Sequence, residues 1–288
     1  MAVQDAAQIV MRAMTGEDVH AAAELCIEQH WPHREEDLAL FLSIGQGIVA
    51  EADGKIVGTI MGWKFGETFA TLGMVIVTGA MQGRGLGRKL MDAMLDQLKG
   101  RTVILNATQE GLPLYRKLGF VELGTICQHQ AIAPAQPLVQ LRRGERVRPM
   151  GAADGEALQA LYAKASGMDR KAVLDAFQAE GSTVVLSREH EQTGFAVLRR
   201  FGRGWAIAPV VAPDLIGAKA LIAHWLGIQS GSFCRIDIPE ESGLGAWLED
   251  LGLSEVGRVT MMALGPAPVT DDAIRTFEIG RASCRERV

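Results

Sequence analysis

The residues best placed to do chemistry are the glycines of Gln82-Gly83-Arg84-Gly85-Leu86-Gly87, which follow a β-branched run, Val75-Ile76-Val77, and open an amphipathic helix. Glycine at every second position lets consecutive backbone N–H groups turn toward one point with no Cβ in the way. The helix that begins there adds amides without intrahelical partners and the positive end of its dipole. Together they form a cradle for a phosphate or pyrophosphate, and Arg84 and Arg88 can bring charge to its rim. Two other phosphate loops do not fit. A dinucleotide fingerprint spaces its glycines Gly-x-Gly-x-x-Gly after the first strand of its unit, whereas this loop reads Gly-x-Gly-x-Gly and follows several strands. A Walker-type loop needs Gly-Lys-Ser/Thr, and Gly87 is followed by Arg88 and Lys89.

The elements that must position this loop follow from pattern. Residues 9–12 form a short apolar segment, and Thr15 with Asp18 is spaced like a capping box before the helical face Val19, Ala22, Ala23 and Cys26. A second helix is predicted over 34–43, ended by Gly45 and Gly47. Asp53-Gly54 is a hairpin signal between strands at 48–51 and 56–63, and Phe69–Val77 makes a third long strand. After the loop, Leu90, Met91, Met94, Leu95 and Leu98 give a helix over 87–98 its buried stripe. Residues 102–105 read as a strand covered on both faces, 112–118 as a helix with Pro113 in its first turn, and 120–127 as another strand.

Within that last helix, Leu114-Tyr115-Arg116-Lys117-Leu118-Gly119-Phe120 supplies a Leu-Tyr-x-x-Leu-Gly-Phe pattern. With Gln82 to Gly87 it resembles the GNAT superfamily of N-acetyltransferases, whose pyrophosphate loop reads Gln/Arg-x-x-Gly-x-Gly/Ala and whose order of elements is the same. The resemblance covers roughly residues 9–130. It implies an α/β fold, a mixed and mostly antiparallel sheet flanked by helices, with acetyl-CoA as co-substrate. By the family pattern, loop amides from Gln82 through Gly83, Arg84, Gly85, Leu86 and Gly87, with Arg88 beside them, hold the pyrophosphate. The backbone of Val75, Ile76 and Val77 would pair with the pantetheine amides.

Acetyl transfer to an amine also needs a proton for the departing thiolate. Tyr115 occupies the motif slot, and a phenol with an ordinary pKa near 10 keeps its proton at neutral pH and can give it up as a general acid. Asn106 and Thr108 could hydrogen-bond the pantetheine or the acceptor, or serve the turn they stand in. Glu67 and His30 are candidate general bases, although a turn carboxylate and a loop histidine are the commoner readings. Trp31, Trp63 and Phe65 could line an acceptor pocket or simply pack in a core. Glu35-Glu36-Asp37 could draw a cation inward or complement a helix dipole.

The second half repeats the first. An offset of 133 positions carries Leu118-Gly119-Phe120 onto Leu251-Gly252-Leu253, the strand Val103-Ile104-Leu105 onto Ile236-Asp237-Ile238, and Val77 onto Val210. At that offset Gly83, Gly85 and Gly87 become Ile216, Ala218 and Ala220, and Tyr115 becomes Leu248. Side chains then crowd the cradle and the hydroxyl is gone, so the second copy is expected not to bind CoA. This is similar to tandem GNAT proteins, in which the resemblance implies that a degenerate companion walls off the acceptor site. The expected organisation is a GNAT acetyltransferase domain over 1–135 and a degenerate GNAT-like companion over 136–277. Residues 278–288 spell the in-frame translation of a common sequencing adapter, so they are expected to be read-through and not native chain.

Composition bounds the partners. The 288 residues are 48% hydrophobic and 22% charged, an ordinary globular balance. A net charge of −5 argues against a nucleic-acid partner held through phosphates. No run approaches the ~18 apolar residues of a membrane span, and the cysteines at 26, 127, 234 and 284 show no paired spacing. The expectations are therefore a cytoplasmic protein with reduced thiols, no metal site, and no membrane partner; a homodimer is also entertained. The expected activity is transfer of acetyl from acetyl-CoA to the primary amine of a small molecule. Transfer to a protein N-terminus or lysine, and a CoA-binding sensor or interaction module without turnover, are the alternatives.

Overall fold

The computed structural model describes residues 8–135 and 137–278. Chain order in the first half is β1 (Ile9–Ala13), α1 (Val19–Glu28), α2 (Glu35–Ser43), β2 (Gln46–Ala52), β3 (Lys55–Phe65) and β4 (Phe69–Val77). It continues with α3 (Leu86–Gln97), β5 (Thr102–Ala107), α4 (Leu112–Lys117) and β6 (Val121–Ile132). The second half repeats this as β7 (Glu145–Pro149), α5 (Gly155–Ser166), α6 (Lys171–Glu180), β8 (Gly181–Arg188), β9 (Glu191–Phe201) and β10 (Gly204–Ala212). Then come α7 (Leu215–Ile228), β11 (Phe233–Pro239), α8 (Gly245–Asp250), β12 (Ser254–Leu264) and a short β13 (Arg275–Glu278).

Local chemistry sets these elements as the patterns require. Asp53 and Gly54 both take positive φ, 50° and 73°, the geometry of a tight hairpin turn between β2 and β3. Asp18 accepts the Thr15 N–H at 2.8 Å at the start of the first helical turn and is gripped by both terminal nitrogens of Arg12, at 2.8 and 2.7 Å. The second half repeats that clamp. Asp154 accepts from the Gly151 N–H at 2.6 Å and from both Arg148 terminal nitrogens, at 2.6 and 2.7 Å. Its spacing, an arginine six residues before an aspartate, is visible in sequence as Arg12/Asp18 and Arg148/Asp154.

All the described strands join one sheet, in the order β1-β2-β3-β4-β5-β12-β6-β11-β10-β9-β8-β7, with β13 beside β10. Only β4–β5 and β10–β11 are parallel; every other pair is antiparallel. The halves exchange their last long strands: β12 lies between β5 and β6 of the first half, and β6 lies between β12 and β11 of the second. In the β6–β12 ladder Ile126 faces Val259, its own counterpart at the 133-residue offset. The internal repeat therefore becomes a pseudo-twofold axis through that pair, and both side chains are buried there. The repeat predicts two similar units; the exchange that splices them is decided by strand pairing between distant segments, which no local pattern encodes.

The core has three parts. Apolar faces of α1 and α2 merge with those of α5 and α6 in one cluster shared by the halves, from Phe41 and Trp63 to Tyr162, Phe177 and Phe195. The opposite faces are covered separately, by α3 and α4 in the first half and by α7 and α8 in the second. Across the shared face, the buried Asp37 carboxylate accepts from Arg34 at 2.8 Å and from the Gly202 N–H of the β9–β10 turn at 3.1 Å, with Arg199 3.9 Å away. Burial alone would raise the Asp37 pKa, but these hydrogen bonds outweigh it and hold the group below the usual carboxylate range. The turn can approach so closely because Gly202 has φ 50° and stands where a Cβ would lie 3.0 Å from Pro32.

Residues 279–288 lie outside the described residues, as does Cys284; Glu278 is the last residue of β13 and is buried. Cys26, Cys127 and Cys234 are buried free thiols. Among the described residues no helix is long and apolar enough to cross a membrane.

Candidate active site

The site begins where β4 and β5 part. Their parallel pairing is confined to Phe69, Ala70 and Thr71 against Thr102, Val103 and Ile104. Beyond that point the facing backbone edges of both strands have no strand partner, so their N–H and C=O groups need another one. A bulge in β4 accentuates the split: Met74 and Val75 oppose the single residue Ile60 of β3. Met74 takes φ 55°, and its carbonyl is held by the buried Thr59 hydroxyl at 2.9 Å.

The cleft so opened has a volume of about 490 Å³. Its floor and one wall are Val75, Ile76 and Val77, and its mouth is Gln82, Gly83, Gly85, Leu86, Gly87 and Arg88. Gly83 and Gly85 have φ 73° and 77°, and the space where their Cβ atoms would project is open. Helix α3 follows directly with Gly85 at its N-cap and no side chain capping it, which leaves the first-turn amides facing the cleft mouth. The loop is anchored from behind. Glu28 on α1 accepts from the Gly79 N–H at 2.6 Å and from the Thr78 hydroxyl, and Gln82 donates to the Val77 carbonyl at 3.0 Å. A Gly-rich mouth with open amides and a split strand pair fits an extended molecule with a phosphate at one end and amides along its length.

Asn106, Thr108 and Tyr115 line the same cleft. The Tyr115 ring is 8% exposed and packs edge-on against Phe120 at 6.0 Å, over Gly111, where a Cβ would meet the ring at 2.7 Å. Burial pushes its phenol up to about 12. Thr108 both lines the cleft and accepts the Gly111 N–H at 3.3 Å, so it also serves the turn. Arg84 is exposed and is the one predicted loop residue that does not line the cleft. Arg88 sits at the mouth and is tied to Asp92 at 2.9 Å.

A second cavity, of about 380 Å³, opens between the halves and shares Leu72, Leu105 and Asn106 with the cleft. Trp63 and Phe65 line it while also belonging to the shared core. Its far wall comes from the second half, with Arg170, Val173 and Phe177. Trp31 instead lines the mouth side of the first cleft. Several sequence candidates are not brought here. Glu67 is a solvent-exposed turn residue beside Arg101, and His30 is an exposed turn residue with φ 57°. Glu35 contacts His20 at 2.7 Å on the surface, and Asp37 is consumed by the contact between the halves. Sequence reasoning missed Glu28, Met74, Glu110 and Val259. Val259 reaches the first-half cleft only because β12 is exchanged, and its one signal is the 133-residue offset from Ile126.

The equivalent region of the second half differs in kind. The strand–helix connection there is only residues 213–214, against residues 78–85 in the first half. The constant-offset alignment of Ile216, Ala218 and Ala220 with the loop glycines is thus corrected: the loop is deleted, and these residues belong to α7. Asp214 caps α7 by accepting the Gly217 N–H at 3.0 Å and is paired with Arg142, so the helix N-terminus already holds a carboxylate. Strand β13 pairs with Val210, Val211 and Ala212, filling the split between β10 and β11. Pro209, which with Ala208 forms the matching bulge opposite Val197, has no N–H to offer. Leu248 does stand at the Tyr115 place on α8, as the offset predicts.

Comparison with known proteins agrees with this geometry. Models of the acetyltransferase (GNAT) domain match residues 43–122 and 158–277. The N-acetyltransferase YitH of Bacillus subtilis is 29% identical over 230 residues, 78% of this chain and 80% of its own. The N-alpha-acetyltransferase RimI of Mycobacterium tuberculosis is 27% identical over 152 residues, 48% of this chain and 94% of its own. Among solved structures, a proposed acetyltransferase of Pyrococcus horikoshii superposes with a TM-score of 0.79 at 20% identity, covering 100% of this chain and 99% of that one. A tandem GNAT protein from the clavulanic acid biosynthesis pathway superposes with a TM-score of 0.62 at 11% identity, covering 90% of this chain and 100% of that one. The loop, the split strands, the repeat and these matches converge: the chain is an acetyltransferase of the GNAT superfamily, in its tandem-domain form.

Proposed function

We propose that the protein transfers the acetyl group of acetyl-CoA to the primary amine of a small molecule, using the first-half cleft alone. The observation that carries this is the meeting of two cavities at Asn106: one edged by open backbone amides, the other walled by residues of both halves. Bound in the cleft, acetyl-CoA would supply a thioester whose carbon–sulfur bond is exchanged for a carbon–nitrogen bond to the amine, giving amide and free thiol with no net change in protons. Loop amides from Gln82 to Gly87 and the α3 N-terminus would hold the pyrophosphate. The unpaired edge of β4 at Val75, Ile76 and Val77 would hold the pantetheine amides.

Tyr115 is the general acid in this reading. Its phenol is held at about 12 by burial, so it stays protonated across the working range and gives its proton to the departing sulfur. Neither Glu67 nor His30 lines either cavity, and an amine that arrives neutral or loses its proton through water needs no dedicated base. The likeness to RimI spans about half of this chain, and here the second half covers the acceptor side. A companion half over the acceptor side favours a small molecule over a protein tail. Thiol release with a panel of amines tests the reading: turnover that needs Tyr115 and a free amine supports it, and binding of acetyl-CoA without turnover of any amine would leave only a sensor.

A further inference from the structure

The cavity between the halves carries charge only where that charge is already answered. Its charged lining side chains are Arg170, Arg275 and Glu241. Arg170 is 6% exposed, is stacked over Phe65 at 4.7 Å and Tyr162 at 5.6 Å, and already has a partner. Arg275 and Glu241 are exposed and opposite in sign, with Arg275 Nη2 3.5 Å from the Glu241 carbonyl. The rest of the lining is uncharged and largely apolar, from Trp63, Phe65 and Ile104 of the first half to Val173 and Phe177 of the second. Two of its polar atoms, Asn106 Oδ1 and Thr276 Oγ1, are buried with no hydrogen-bond partner among the described residues. A neutral N–H would satisfy the first and a neutral polar group the second, but neither atom can balance a full charge.

Such a lining penalises a second charge of either sign. A charge carried into it from water, with no counter-ion left to pair, loses hydration that nothing there replaces. Asn106 lies where the cavity meets the cofactor cleft, so an amine that takes up the acetyl group has to stand beside it. A carboxylate on the carbon next to that amine would set acceptor against acceptor. We infer that the acceptor is a monoamine whose body is otherwise uncharged and apolar. It is held as the free base, with its N–H on Asn106 Oδ1 and its hydrocarbon among Trp63, Phe65 and Phe177. The volume of about 380 Å³ lies within the range of small-molecule sites. The inference rests on the acetyl-transfer reading and narrows it, because free amino acids and polyamines become poor acceptors. The bonds made and broken are those already given for the transfer.

The test uses matched amines: phenethylamine with L-phenylalanine, which adds a carboxylate, and n-pentylamine with putrescine, which adds a second ammonium. Thiol release gives kcat/KM for each, expressed per unprotonated amine. Calorimetry gives the affinities of N-acetylphenethylamine and N-acetyl-L-phenylalanine with no acetyl donor present. The expected result is a preference of at least about tenfold for the singly functional member of each pair, and the same order for the two amides. From n-propylamine to n-pentylamine kcat/KM should rise roughly fourfold per methylene. Thr71 lines the cavity opposite Trp63 in the β3–β4 ladder. Thr71→Asp puts a carboxylate there and should shift the second ratio toward putrescine several-fold; should it fail to fold, the wild-type ratios still decide. Equal rates within a pair, a flat alkyl series, equal amide affinities, or no turnover of any member by protein that binds acetyl-CoA would each overturn the inference. Failure to bind acetyl-CoA at all would instead remove the acetyl-transfer reading beneath it, while the amide affinities still report on the cavity by itself.

Discussion

At matching points in the two halves, a central strand parts from its parallel neighbour, and the halves treat the gap in opposite ways. In the first half the gap between β4 and β5 stays open, edged by unpaired backbone and closed at its mouth by glycines. In the second half β13 is laid into it, the loop is deleted, and Asp214 caps the helix that would have met an anion. The sheet, the bulge and the Arg–Asp clamps are common to both. What separates the open gap from the filled one is therefore a few residues of connection and a terminal strand, while the scaffold is retained. The second half lends Val259 to the first cleft and walls the neighbouring cavity.

Substitutions can break that contrast in graded ways. The largest effect is expected from Gly85→Val, which forces a β-branched residue into φ 77° and places carbon in the cradle. Acetyl-CoA affinity should fall by about a hundredfold or more, roughly 3 kcal/mol, by calorimetry on protein whose circular dichroism is unchanged. Asp214→Ala, at the corresponding helix start, should leave that affinity as it was. Next, Tyr115→Phe should lower kcat about a hundredfold with acetyl-CoA affinity little altered. Because burial raises the phenol to about 12, its acid form persists as pH rises. Wild-type kcat should then climb with deprotonation of the amine and show no descending limb below about pH 11; a limb near pH 9 would argue for a different acid.

Smaller effects fall on stability. Phe277→Ala removes a fully buried ring from the strand that fills the second gap. Roughly 3–5 kcal/mol should be lost in denaturant melts, without a second acetyl-CoA site appearing, since the loop is still missing. The two clamps should behave alike. Hydrogen bonds from Arg12 hold Asp18 down to about 2, and those from Arg148 hold Asp154 well below the usual range. Both folded values lie below the unfolded ~3.9, so their contribution is complete above about pH 4 and disappears as pH falls through the folded values. Asp18→Asn and Asp154→Asn should each cost about 1 kcal/mol at pH 7 and progressively less toward pH 2. Unequal losses would mean the clamps are not equivalent.

Much of the first half is legible in sequence because local rules govern it. The hairpin at Asp53-Gly54, the glycine mouth and the Leu-Tyr-x-x-Leu-Gly-Phe turn each depend on residues adjacent in the chain. Asn106, Thr108 and Tyr115 are predicted site residues, and all three line one cleft. What stays hidden is set by partners far apart in sequence. The exchange of β6 and β12 leaves no local trace, and neither does the filling of the second gap by β13. Glu67 and His30 take the commoner of their two readings, an exposed turn carboxylate and an exposed turn histidine. The loop deletion in the second half is masked because β10 lies 135 positions after β4 and β11 131 after β5, so an offset of 133 misplaces each strand by two residues and still keeps every side chain on its proper face.

One open cleft and one filled cleft should give the chain a single cofactor site. Calorimetric titration of acetyl-CoA into the wild-type chain tests this most directly. The prediction is one site per chain, abolished in Gly85→Val and untouched in Asp214→Ala. Two sites per chain, or one that survives Gly85→Val, would contradict it.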